Sequence, residues 1–201
     1  LGESDDPQVR KAAPGLLQAI GRAVALCSQV LVFSQARRPE LHLEAEPLRD
    51  LLEEVGDNVL ELAETIGPTA PWRWTNEVGE DVVIRGDRQL LLRVFENIAR
   101  NAFEAGATEV RLTARDGGER WAIGIADNGP GLPPQARENL FQPFRGSVRA
   151  GGTGLGLAIA WELVQAHGGR LRLAATGTTG TRFIAELPKA AWRNDRRRQS
   201  A

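Results

Sequence analysis

The stretch DNGPGLPPQARENLFQPFRGSVRAGGTGLGLAIA, Asp127 to Ala160, decides how this chain reads. Two glycine clusters flank a polar segment that contains prolines. Upstream, RWAIGIA (Arg120 to Ala126) is apolar and alternating, as a strand is; downstream, LAIAWELVQAHGG has helical spacing and stops at a glycine pair. A strand ending in Asp-Asn-Gly-Pro-Gly, then a loop, then Gly-Gly-Thr-Gly-Leu-Gly opening a helix is a layout suited to a nucleotide. Glycines admit positive φ and let backbone N–H groups approach phosphate oxygens closely. The N-terminus of the following helix adds partial positive charge at the same place.

The chain has 201 residues, 42% of them apolar and 25% charged, with a formal net charge of −1. That suits one compact domain with a helical appendage, or two small domains. The near-neutral balance carries no nucleic-acid or membrane signature. A single cysteine, Cys27, excludes an internal disulfide and fits a reducing, cytoplasmic compartment. The chain starts at Leu1, contains no methionine and has no visible signal peptide, so it is expected to be an excised fragment. Its most apolar run, Gly15 to Phe33, is interrupted by Gln18, Arg22 and Gln29 and reads as amphipathic rather than spanning. A membrane anchor would lie outside the fragment.

Working outward, Lys11 to Arg37 is expected to be a long N-terminal helix. Leu17, Ile20, Val24, Cys27 and Leu31 step by 3 and 4, an a/d seam that Leu16, Ala23 and Val30 widen. Such a helix belongs in a bundle or hairpin completed by another segment or a second chain. Arg37-Arg38-Pro39-Glu40 breaks it, dividing the chain into residues 1–39, a domain over 40–190 and a basic tail over 191–201. In the domain, Leu41 to Pro47 alternates as a short strand and Leu48 to Ile66 is an amphipathic helix. WRWTNEV and DVVIRGD are expected to be antiparallel strands joined at Gly79-Glu80, with Trp72 and Trp74 packing on one face. Asp87 is placed to cap the helix that follows, and Gly106 closes it. A hairpin over Gly117-Gly118, the glycine-rich stretch, a helix to His167 and two last strands complete an α+β order: a mixed sheet with helices on one face.

Within the helix from Arg88, the residues Leu91, Val94, Phe95, Ile98 and Ala102 form the buried stripe. Asn97 and Asn101, four apart, lie one above the other on an adjacent face. Asparagine is a poor helix former, so stability alone does not explain the pair. Carboxamide oxygens suit a hard cation that keeps waters and phosphate oxygens, the usual manner of holding Mg²⁺. Asp127 ends an apolar strand, where a carboxylate can accept from an exocyclic amine and select adenine over guanine. Gly129 and Gly131 then remove side chains where a purine would lie.

This ordered set resembles the ATP-binding catalytic domain of sensor histidine kinases, in the Bergerat superfamily shared with gyrase, mismatch-repair and heat-shock chaperone ATPases. ENIARNAFEAGA looks like the N box, DNGPG like the D-x-G-x-G box, LFQPF like the F box, and GGTGLGLAIA like the second glycine box. VQAHGGRLRL and GTTGTRFIAELP match the closing segments. The likeness covers about Leu41 to Pro188, and the N-terminal helix is similar to the second helix of the dimerisation and phosphotransfer hairpin.

The resemblance implies a Bergerat-type α/β sandwich that binds ATP with Mg²⁺ on Asn101, assisted by Asn97. It implies nucleotide contacts from Asp127, Gly129, Gly131, Gly152, Thr153, Gly154, Leu155, Gly156 and Thr181. Residues 132–151 would form a mobile lid anchored by burial of Phe141 and Phe144. A basic residue is common where this chain has Glu104, so Arg100 or Arg145 is expected to replace it at the phosphates. Hydrolytic members carry a base glutamate where this chain has Asn97, and Glu96 is rotated by about 100° from that point. A kinase, whose nucleophile is a histidine on another domain, fits better than a chaperone or mismatch-repair ATPase. Neither His42 nor His167 sits in an H box, so the acceptor histidine is expected upstream of Leu1. A response regulator would take the phosphoryl group, and the full-length protein would dimerise through its helical hairpin. A nucleotide-binding pseudokinase or scaffold is the other alternative, disfavoured by the intact asparagine, aspartate and glycine set.

Overall fold

The computed structural model describes residues 39–66, 72–145 and 153–190, together with Cys27, Val30, Ser34 and Ala36. Of the expected N-terminal helix, those four residues are helical, and the remainder lies outside the described residues, as does the tail over 191–201.

The elements run β1 (Glu44–Pro47), α1 (Leu48–Ile66), β2 (Arg73–Asn76), β3 (Val83–Gly86), α2 (Arg88–Glu104), β4 (Glu109–Asp116) and β5 (Arg120–Asp127). After them come α3 (Pro134–Glu138), α4 (Gly156–Ala166), β6 (Arg170–Gly177) and β7 (Gly180–Pro188). The main sheet has five strands in the order β2-β4-β5-β7-β6, parallel at β2-β4 and antiparallel elsewhere. β1 and β3 form a separate antiparallel pair. The expected α+β class, a mixed sheet with helices on one face, is what forms.

One expectation fails. β2 and β3 do not pair with each other: β2 runs parallel to β4, with Trp74 opposite Val110, and β3 takes β1 as its partner. Alternation reports which face a residue occupies and not which strand lies beside it. The turn at Gly79 does form, with Val82 N–H donating to the Gly79 carbonyl at 3.3 Å, but the two strands diverge from it. The return from β2 to β4 then carries α2, the crossover that a parallel pair requires.

The core lies between the helices and one sheet face. Leu91, Val94, Phe95 and Ile98 of α2 are buried, as are Val110, Leu112, Ile123, Phe183 and Ala185 of the strands. Each such side chain contributes about 1.5–3 kcal/mol by leaving water. Trp74 lies over Gly56 of α1 and donates from Nε1 to the Leu52 carbonyl at 3.1 Å, while Trp72 donates to Ala107 and meets Phe103 edge-on. Both tryptophans therefore pack on the helix side, as their spacing predicts.

The start of α2 is pinned to the end of α4. Asp87 caps α2, accepting from Leu90 N–H at 3.2 Å, and its own N–H donates to His167 Nε2 at 3.0 Å. Because a backbone N–H can only donate, Nε2 must accept, and Nδ1–H donates to the Leu163 carbonyl at 2.7 Å. His167 is thus a structural bridge. Next to it, Arg88 pairs with Glu54 at 2.6 Å and Glu46 at 3.2 Å, and the Glu54 hydrogen bond leads in raising the guanidinium further above its ordinary value. The ring of His42 stays in solvent.

Candidate nucleotide-binding site

Two clusters of the singled-out residues form at the two ends of one helical segment. At the first, β5 ends in Asp127, whose Oδ1 accepts from Gly129 N–H at 2.8 Å and from Thr181 N–H at 3.2 Å. Thr181 is buried and its hydroxyl lies 3.3 Å from that of Thr176, which in turn accepts from Leu132 N–H at 2.8 Å. Loop and hairpin interlock tightly. Gly131 has φ +81, and a Cβ there would run into the backbone of Gly177; a Cβ on Gly180 would strike the Asp127 carbonyl. Gly131 therefore serves chain-to-chain packing, a use the expectation of an open purine surface did not include. At Gly129 a Cβ would come within 3.0 Å of Asp127 Oδ1, crowding the acceptor itself.

Burial pushes the Asp127 carboxyl above the usual carboxylate range, and the Gly129 and Thr181 hydrogen bonds only partly oppose it. A partly desolvated acceptor at the end of a strand is costly unless it has a further use.

The second cluster joins α2 to the start of α4. Asn97 Oδ1 accepts from Arg100 at 2.8 Å, and its Nδ2 donates to the Arg93 carbonyl at 2.8 Å. A Cβ on Gly156, the first residue of α4, would sit 3.2 Å from Asn97 Oδ1, so glycine is what lets the N-terminus of α4 approach the asparagine. Arg100 also faces Glu104, Nε to Oε1 3.7 Å. Asn101 is half-buried one turn further on, and its carboxamide has no partner among the described residues. Beyond the helix end, Ala107 Cβ is 3.5 Å from where a Gly129 Cβ would be. Asn97 and Ala107 are separated by about 10–15 Å at helical rise, so α2 spans the distance between the clusters.

Other expected residues are placed less directly. Gly152 lies outside the described residues, and so does most of the second half of the expected lid. Thr153 is half-buried, Gly154 takes φ +67 and Leu155 is fully buried in the core. Arg145 is exposed in a turn, its N–H donating to the Gln142 carbonyl at 3.4 Å. Phe141 packs against Trp161 and Phe183 with ring centroids 6.4 Å away in each case, as an anchor should. Phe144 is 58% exposed, which corrects the expectation that it is buried; Phe141 shares its left-handed backbone yet packs inward, so only Phe141 finds ring partners.

Sequence reasoning missed Asn128. Its Oδ1 accepts from Thr108 and Glu109 N–H at 2.8 and 2.9 Å, and its Nδ2 donates to Thr108 Oγ1, clamping the glycine loop to the start of β4. The Asx preference for turns was the available signal, without a partner to attach it to. A separate cavity of about 650 Å³ at the N-terminal end of α2 is lined by His42, Glu46, Asp87, Arg88 and Leu90, and includes none of the residues expected to touch the nucleotide.

The family described as histidine kinase-, DNA gyrase B-, and HSP90-like ATPase matches residues 86–191, which include both clusters. The chain belongs to this family. Among relatives within the histidine kinase-like ATPases, the alginate biosynthesis sensor protein KinB of Pseudomonas aeruginosa is 30% identical over 177 residues, 85% of this chain and 29% of KinB. The full-length crystal structure of ShkA in complex with AMPPNP aligns with TM-score 0.74 and 28% identity, over 95% of this chain and 42% of ShkA. The catalytic domain of histidine kinase ThkA, nucleotide free, aligns with TM-score 0.61 and 26% identity, over 74% of this chain and 96% of that domain. The chain spans less than a third of KinB, and the ATP-binding catalytic domain is the part that it shares with this family. Among the described residues no helix is long and apolar enough to cross a membrane.

Proposed function

We propose that residues 40–190 are the ATP-binding kinase core of a two-component sensor histidine kinase. In this reading the core delivers the γ-phosphoryl group of ATP to a histidine outside the chain, and a response regulator receives it next. The observation that carries the reading is the pairing of Asp127 with Thr181 beyond the C-terminal end of α2, and the approach of Asn97, midway along α2, to Gly156 at the start of α4. An acceptor for an adenine amine and a cradle for phosphates are thereby set a nucleotide's length apart.

The residues fit a magnesium ion. Asn101 offers an unengaged carboxamide, and Asn97 holds its oxygen toward the narrow gap beside Gly156. Mg²⁺ held there would neutralise charge on the phosphate oxygens. Arg100 already reaches Asn97, and we take it, ahead of Arg145, as the arginine that touches phosphate. Asp127 selects the base, Gly129 keeps its carboxylate uncrowded, and the first turn of α4 offers backbone N–H groups to the phosphates. Phosphoryl transfer needs chiefly positioning and charge neutralisation from such a domain. With Asn97 where a hydrolytic relative has glutamate, water is not activated. Residues 1–39 fit one helix of a dimerisation hairpin, and the domain fits the cytoplasmic side of a parent protein whose anchor, if any, lies elsewhere.

Calorimetric titration with ATP and magnesium, alongside incubation with γ-labelled ATP, tests this. Uptake without steady hydrolysis and without label on His42 or His167 is expected. No uptake, or sustained hydrolysis, rejects the kinase-core reading.

A further inference from the structure

The helices cover one face of the main sheet, and among the described residues no element packs on the other. That open face is built from three cross-strand rows. One holds Arg111, Ala126 and Arg182; the next Thr113, Gly124, Ile184 and Arg172; the third Arg115, Ala122, Glu186 and Arg170. Within these rows the middle strand β5 contributes the small residues Ala122, Gly124 and Ala126, a low floor between arginines on β4 and arginines on β6 and β7, with Arg120 of β5 exposed at its end. Its flatness is enforced, since a Cβ on Gly124 would lie 2.7 Å from Thr113 Oγ1.

All five arginines of the rows are exposed. Arg111 pairs with Glu109 at 3.2 Å and Glu77 at 3.6 Å, and Arg172 with Glu186 at 3.5 Å, while Arg115, Arg170 and Arg182 have no carboxylate within ion-pair distance among the described residues. Elsewhere on the domain Arg49, Arg88 and Arg100 each face an acid. A group of acids that offsets these arginines in the near-zero net charge, Asp50, Glu53, Asp57 and Glu61, is exposed on α1, in the helix layer behind the sheet. That layer is about 10 Å thick, more than the Debye length of about 8 Å at physiological salt, so α1 does not cancel the field at the open face.

We infer that this sheet face is a docking surface for an acidic protein segment lying along β5. Guanidinium groups fork onto carboxylates with two hydrogen bonds and give up water more readily than ammonium groups. A nucleic acid fits less well. The three rows contain no aromatic side chain on which a base could stack. The surface is distinct from the nucleotide site, and its use does not depend on ATP being the ligand there.

The test uses fluorescence anisotropy of a fluorescein-labelled glutamate dodecapeptide against the whole chain at low and physiological salt. Saturable binding that weakens with salt is expected, as is at least a tenfold loss in Arg115→Glu/Arg170→Glu and a smaller loss in the single Arg115→Gln. ATP uptake by both variants stays at the wild-type level and reports that the fold is intact. Glu53→Lys/Asp57→Lys on α1 should leave peptide binding unchanged. Absence of binding, equal effects of the sheet and helix variants, or tighter binding of a twelve-nucleotide single strand would each overturn the proposal.

Discussion

Thr181 N–H donates to Asp127 Oδ1 at 3.2 Å, joining residues 54 apart in sequence at the floor of the nucleotide site. The same oxygen accepts from Gly129, so the orientation of one carboxylate is held by two elements that meet only in the folded chain. Its second oxygen is the one left for a ligand.

Changing Asp127 to Asn separates stability from recognition. The carboxamide oxygen can still accept from Gly129 and Thr181, but its NH₂ faces the adenine amine with a donor. Because burial raises the Asp127 carboxyl, the folded chain holds that proton more tightly than the unfolded one. The associated stability is present below the unfolded value and is lost as pH rises through the folded value. At neutral pH, Asp127→Asn should therefore melt no lower than wild type without ATP. ATP affinity should drop at least tenfold, about 1.4 kcal/mol. In wild type the affinity should also fall in mildly acidic solution as the carboxylate takes up its proton, a dependence missing from the variant. Calorimetry across pH reads both effects.

Asn101→Ala should remove most of the difference between ATP affinity with and without magnesium. Titrations in magnesium and in EDTA give that difference directly, and a full magnesium effect in the variant would take the ion away from Asn101.

Arg100→Ala should weaken ATP binding about tenfold, and Arg145→Ala should have a smaller effect. The pair of Arg100 with Glu104 is exposed and long, of a kind measured at about 0.3–0.5 kcal/mol, so Glu104→Ala should tighten binding only about twofold. Unchanged affinity in both arginine variants means that phosphate is held by other groups.

His167→Ala leaves the Asp87 N–H buried with no acceptor. That costs about 1–3 kcal/mol, which in a domain of this size lowers Tm by about 2–12 °C. His167→Gln, whose carbonyl can accept, should recover part of the loss. The ATP Kd of the folded variants should match wild type; a large change in affinity without a change in Tm would contradict a purely structural bridge.

Gly131→Ala should both destabilise the chain and weaken ATP binding, because its Cβ has to displace the Gly177 backbone at a positive φ. Denaturant unfolding and calorimetry on the same preparation measure the two losses.

Most of the candidate site was legible because its parts are local. A cap at Asp87, a buried stripe from Leu91 to Ala102, an asparagine pair one turn apart and two glycine runs after a strand are short-range patterns, each set by helical or strand periodicity. The β2–β3 error shows where such patterns stop. Period-2 alternation is satisfied equally by any neighbour, and the parallel match to β4 depends on how α2 packs over the sheet. Phe144 shows the same limit: both phenylalanines of the F-x-x-F run share a left-handed backbone, and only Phe141 meets ring partners, Trp161 and Phe183, which come from segments distant in sequence.

By itself, then, the order of residues pointed to the class of fold through local periodicity, to the family through the resemblance of its boxes, and to candidate nucleotide contacts through residue chemistry. Only the tertiary structure decided that Thr181 closes on Asp127, that Gly131 and Gly180 exist for chain-to-chain contact, and that the arginines of β4, β6 and β7 share one uncovered face. Those relationships are set by strand register across distant segments, and register is fixed by packing the whole inner face against the helices at once.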